Sequence, residues 1–209
     1  MTNQTKDFSG SLSKIASIVF HPLLMPVYGL SIIFYAPTLF GYLPFEVKKI
    51  LLLVILVNNV FLPIALMPFL YNRKIISTWT IDDRKERRIP LMLTTILYAS
   101  TCYIIFKFPI PFFLKSFIYT SFFISLMVTI INFWWKISLH AVGAGALLAT
   151  VLYLSVKMNA PLDWYLVSVI LAAGLVMSSR LKLNYHNPQQ VWFGYLAGFL
   201  GLFGFMMLF

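Results

Sequence analysis

Charge is scarce in this chain, and acid is scarcer still. Only 11% of residues are charged, and six Asp and Glu stand against 16 Lys and Arg, for a net charge of +10. Soluble domains carry about 25% charged residues, so an ordinary water-facing surface is excluded. Disorder is excluded as well, because 60% of the residues are hydrophobic. The single cysteine, Cys102, cannot close an internal disulfide, which rules out a disulfide-stapled module. No small-residue cleavage site follows the first apolar run, so no signal peptide is expected.

What the chain does have is apolar length. Mean hydropathy is +0.87, and about 20 mostly apolar residues suffice to cross a bilayer as a helix. Apolar segments run roughly over 15–41, 48–70, 90–106, 113–134, 139–157, 163–178 and from 188 to the end. The expected fold is an all-α polytopic integral membrane bundle of six to seven transmembrane helices. Residues 1–14 read as a polar N-terminal tail and 15–209 as one transmembrane domain. Pro22, Pro26 and Pro37 should kink or break the first segment. The basic excess is expected to face lipid headgroups or a bound phosphate; no nucleic acid partner is expected.

The polar residues gather in three stretches, before the third, fifth and seventh segments. With seven spans, all three share one side of the membrane with the N-terminus. Each precedes a helix start, where free backbone N–H groups and a partial positive charge favour an anion. The positive-inside rule would put that side in the cytoplasm, since eleven of the 16 basic residues fall there. Five of the eleven, Arg84, Arg87, Arg88, Lys136 and Arg180, would be accounted for equally well by a phosphate.

The first stretch holds Asp82, Asp83, Arg84, Lys85, Glu86, Arg87, Arg88 and Pro90. Arg84 and Arg88 are four apart and share a helix face, from which two guanidinium forks could grip a phosphate. A solvated, topology-setting loop is the plainer reading. The second stretch is Lys136, Ile137, Ser138, Leu139 and His140. Ser138 suits a helix N-cap, and His140 is a proton donor near neutral pH. Gly143 and Gly145 beyond it read as helix-packing positions. The third stretch runs from Ser179 and Arg180 to His186, Asn187, Pro188 and Gln190. Asn187, Pro188 and Gln190 form a cap, a first-turn proline and a capping-box partner; Arg180 and His186 are left without a structural explanation. His21, beside Pro22, reads as structural.

These residues, in this order, resemble the type 2 phosphatidic acid phosphatase superfamily, whose motifs are K-x6-R-P, P-S-G-H and S-R-x5-H-x3-D. Ser179, Arg180 and His186 match the third motif, with Gln190 at the position of its aspartate. Ser138 and His140 match the second, with Ile137 and Leu139 in place of proline and glycine. Counting back from Pro90 puts Asp82 at the first motif's lysine and Ile89 at its arginine, so Arg84 and Arg88 would serve in a shifted register. The resemblance covers about residues 80–200. It implies a phosphoester hydrolase of a bacterial cytoplasmic membrane acting on a lipid or isoprenoid phosphate, without metal or cofactor. His186 would be the nucleophile, His140 the acid and Gln190 the partner of the nucleophilic imidazole. Arg180, Ser138, Arg84 and Arg88 would hold the phosphoryl oxygens, with Lys136 as an addition.

The change at Gln190 removes a negative charge, since an amide accepts a hydrogen bond but cannot stabilise an imidazolium as a carboxylate does. The expectation is a slowed phosphatase, or a relative that binds lipid phosphate as a transport or scaffolding protein. A Mg²⁺-diphosphate site built on Asp82, Asp83 and Glu86 is disfavoured, because the remaining acids, Asp7, Glu46 and Asp163, are scattered.

Overall fold

The computed structural model describes residues 8–81 and 83–208. Residues 1–7 of the expected polar tail, and Asp82, lie outside them. Among the described residues there is no strand, and seven stretches are long and apolar enough to cross a membrane. The chain is an all-α polytopic membrane bundle.

Two of the seven spans are interrupted, and proline explains both interruptions. The first begins earlier than expected, with α1 at Phe8–Val19, and resumes as α2 at Met25–Tyr35. Between them Pro22–Leu24 forms a 3-10 turn capped by His21, whose Nδ1 accepts the Leu23 N–H at 3.3 Å. Pro22 has no N–H to carry the α-helical ladder through. The second span is α3, Phe45–Ile55, then a π-helical turn over Leu56–Phe61, then α4, Leu62–Asn72. Pro63 cannot donate to the Asn59 carbonyl, and a widened turn is one of the few ways an apolar helix absorbs that loss. The turn delivers Asn58 and Asn59 to the next span. Asn58 Nδ2 donates to Ser100 Oγ at 3.2 Å, and Thr101 Oγ1 donates to Asn59 Oδ1 at 2.6 Å. These amides are interhelical hydrogen bonds in an apolar medium.

The other spans are α5 Arg88–Phe106, α6 Phe112–Asn132, α7 Leu139–Met158, α8 Asp163–Lys182 and α9 Pro188–Met207. α7 is the central one, with α2, α8 and α9 packed around it. Its contact with α9 is backbone to backbone. A Cβ on Gly145 would run into the Tyr195 carbonyl, and one on Gly198 into the Val142 carbonyl. Only glycine permits that approach, and it sets the start of α7 directly beside the start of α9. Both expected packing glycines meet a neighbouring helix, Gly145 the α9 backbone and Gly143 the Met25 side chain of α2.

α1 lies along the C-terminal half of α8, running the opposite way. Lys182 Nζ donates to Ser9 Oγ, Ser17 meets Arg180, and Phe20 packs by Ala173 and Val176. Ser13 and Ser17 face the bundle, while Leu12, Ile15 and Ile18 point outward.

Candidate functional site

The three polar stretches meet at one end of the bundle, and the main chain ties them together. The Ser138 N–H donates to the Gln190 carbonyl at 3.3 Å, joining the second stretch to the third. Arg84 Nη1 donates to the Phe133 carbonyl at 2.6 Å, and Asn132 Nδ2 to the Arg84 carbonyl at 3.1 Å, joining the first to the end of α6.

Below this junction lies a cavity of about 410 Å³. His21, Arg87, His140, Arg180 and His186 line its rim, together with Trp79 and Thr80 of the loop after α4. Its deeper wall is mostly apolar and reaches Phe117, Leu147 and Leu202, with the hydroxyl residues Thr94, Ser121, Ser125 and Thr150 among them. From His140 to Thr150 the wall descends about 15 Å along α7 at the ordinary helical rise. No described lining residue is acidic. Two guanidinium groups at the edge of an apolar medium suit an anionic occupant.

His186 sits just before α9, held by its neighbours. Asn187 caps the helix, Pro188 starts it, and Gln190 completes the capping box. The same Gln190 Oε1 lies 2.9 Å from His186 Nδ1, so Nδ1–H donates and Nε2 carries the free lone pair. Burial pushes the His186 imidazole down to about 4; the Gln190 bond opposes that shift, and the charges of Arg87, Arg180 and Lys136 add to it. The imidazole is therefore neutral at neutral pH.

His140 stands one residue into α7. Its Nε2 lies 3.0 Å from the Ser17 carbonyl, and its ring meets that of His21 edge to face at 5.7 Å. Arg180, buried in the last turn of α8, places its guanidinium 4.4 Å over the Tyr185 ring and donates through Nη1 to Ser17 Oγ at 3.3 Å. It was expected in a loop; the helix instead continues to Lys182, where basic side chains suit the negative end of the dipole. Arg87, also buried, donates from Nε to the Ile81 carbonyl at 2.7 Å. Ile81 has φ of 46°, an uncommon conformation for a β-branched residue, and its carbonyl anchors Arg87 there.

Several expected positions are corrected. Arg84 and Arg88 do share a face, but it is turned to the end of α6 and not to the cavity. Both donate to the Phe133 carbonyl, and Arg88 lies 5.3 Å over the Phe133 ring. The last carbonyls of a helix have no internal partner and attract cations. Arg87, between them in sequence, faces the cavity instead. Ser138 occupies the N-cap position without a side-chain cap bond, and its fully buried Oγ has no hydrogen-bond partner among the described residues. Lys136 is half-buried outside the cavity wall and acts on His186 through its charge. Of the described loop acids, Glu86 accepts from the Ser77 N–H and hydroxyl, and Asp83 from the Lys85 N–H.

Three residues of the site were not foreseen, Ser17, His21 and Tyr185, and Arg87 was named only among the basic residues that a phosphate would account for. A histidine preceding proline at a helix break was the available signal for His21, which does cap the turn and also lines the cavity. Nothing in the sequence pattern marks Ser17. No family model, no curated protein and no solved structure matches the chain.

Proposed function

We propose that the protein is a membrane phosphatase that removes the phosphate headgroup of a lipid or isoprenoid phosphate through a phosphohistidine, as a divergent relative of the type 2 phosphatidic acid phosphatases in a bacterial cytoplasmic membrane. The observation that carries this reading is one cavity with His140, His186, Arg87 and Arg180 at its rim and an apolar wall beneath. An amphiphile with an anionic head matches both halves.

In this reading the headgroup lies between Arg87 and Arg180, whose charges offset that of the phosphoryl oxygens. Nε2 of His186 attacks phosphorus while Gln190 Oε1 holds Nδ1–H. The P–N bond forms as the P–O bond to the lipid breaks, and His140, having taken the proton of the monoanionic phosphate on Nδ1, passes it to the departing oxygen. Water then attacks the phosphohistidine, returning its proton to His140, and phosphate leaves. The nucleophile needs no deprotonation, because burial already holds it neutral.

Gln190 favours a second reading, a lipid-phosphate binder without turnover, because the imidazolium formed on attack lacks a carboxylate partner. Purified protein given phosphatidic acid or an isoprenoid phosphate should release inorganic phosphate, and His186→Ala should lower the rate by at least about 10³-fold. Binding without release would favour the second reading. Release that survives His186→Ala would overturn the first.

A further inference from the structure

We propose that Ser17, on the peripheral helix α1, is a positioning residue that holds both His140 and Arg180; the assignment of a chemical role to those two groups rests on the phosphatase reading above. α1 takes no part in the sequence resemblance, and its packing partner is α8. Yet one of its residues makes two contacts in the site. The Ser17 carbonyl meets His140 Nε2 at 3.0 Å, and its hydroxyl accepts from Arg180 Nη1 at 3.3 Å while donating to the Ser13 carbonyl at 2.9 Å.

The carbonyl contact has a chemical consequence. A carbonyl only accepts, so His140 must carry its proton on Nε2 when neutral. Nδ1 is then the nitrogen that exchanges a proton with a ligand. This orients the acid much as an outer hydrogen bond orients a metal-bound imidazole. The hydroxyl contact does the same for the cation: with one N–H held by Ser17 and the guanidinium plane lying over Tyr185, Arg180 has little rotamer freedom left to lose when an anion arrives. His21, four residues on, closes the arrangement by meeting the His140 ring edge to face. The serine ladder Ser9, Ser13 and Ser17, turned toward α8, keeps α1 in register for both bonds.

Histidine-selective ¹⁵N NMR on the full-length protein in lipid nanodiscs, without ligand at neutral pH, reads the first contact directly. His140 should be protonated at Nε2 alone and His186 at Nδ1 alone. Replacing Ile18 by its α-hydroxy analogue turns the Ser17 carbonyl into a weaker ester acceptor, and should give His140 a measurable Nδ1–H population while His186 stays unchanged. An Nδ1–H tautomer of His140 in the unmodified protein, or no response to the ester, overturns the proposal. Ser17→Ala keeps the carbonyl, so it should leave the His140 signature alone and weaken binding of inorganic phosphate about three- to tenfold, the range for one net hydrogen bond. Unchanged phosphate affinity would overturn the Arg180 half. If inorganic phosphate does not bind the unmodified protein at all, the phosphatase reading fails, while the tautomer measurement still decides the place of Ser17.

Discussion

Gln190 serves His186 twice, once as part of the helix cap that places it and once as the acceptor of its Nδ1–H. Geometry is retained there and charge is missing. Gln190→Glu preserves the shape and restores the charge, so the His186 pKa should rise from about 4 by roughly one to three units, as for an imidazole gaining a close carboxylate. The sign follows from which form attacks. Neutral His186 is the nucleophile, so the acid limb of kcat/KM for the free enzyme should move to higher pH in the variant while its plateau rises. A pH–rate profile of both proteins checks this. A second residue-scale test separates the arginines. Arg87→Ala should weaken inorganic phosphate binding at least about tenfold, as loss of a charge-assisted contact does. Arg84→Ala should leave it unchanged and lower the unfolding temperature, since Arg84 satisfies the end of α6. Isothermal titration and a thermal melt of each variant distinguish the two. Spacing alone could not make this distinction. Arg84 and Arg88 lie on one face of a helical turn, but the sequence does not say whether that face meets a ligand or the open carbonyls of the preceding helix.

Among the elements, the α7–α9 contact does most to assemble the site, because it puts His140 and His186 at neighbouring helix starts. A methyl group on Gly198 or Gly145 has to displace main chain, not a movable side chain. Each glycine-to-alanine change there should destabilise the protein by about 1–3 kcal/mol, the range for overpacking, and lower activity with it. Gly174→Ala, where a Cβ meets nothing within 4 Å, should be neutral or slightly stabilising, since alanine is the better helix former. Thermal unfolding of the three variants in one detergent tests this contrast. Element boundaries were largely legible: apolar length gave the spans, and Pro22 and the capping run at Asn187 marked a break and a start. The end of α8 was misread because Ser179–Leu183 is polar enough to look like loop, and only packing against α1 and Tyr185 shows it as helix. The π-helical turn was also invisible: Pro63 marks a lost hydrogen bond, but the sequence does not say whether the helix kinks, breaks or widens there, nor that Asn58 and Asn59 reach Ser100 and Thr101 on another span.

At the scale of the whole molecule, a basic rim stands over an apolar shaft, and one ligand can engage both only if it is an amphiphile. Apolar length, and three polar stretches placed before alternate spans, made the bundle and its polar end readable in advance. The shaft was not readable, because its wall draws on α2, α4, α5, α6, α7 and α9 together. The participation of α1 was hidden for a similar reason, since a backbone carbonyl leaves no trace in residue type. The central claim is that His186 takes the phosphoryl group, and trapping that group tests it most directly. Purified protein should be mixed with an aryl phosphate, whose leaving group needs no acid, quenched in base and mapped by tandem mass spectrometry. The account predicts a phosphoryl group on His186, accumulating further in His140→Ala, where the water step has lost its base. A phosphoryl group on another residue, or phosphate released with none on His186 in either protein, would contradict it.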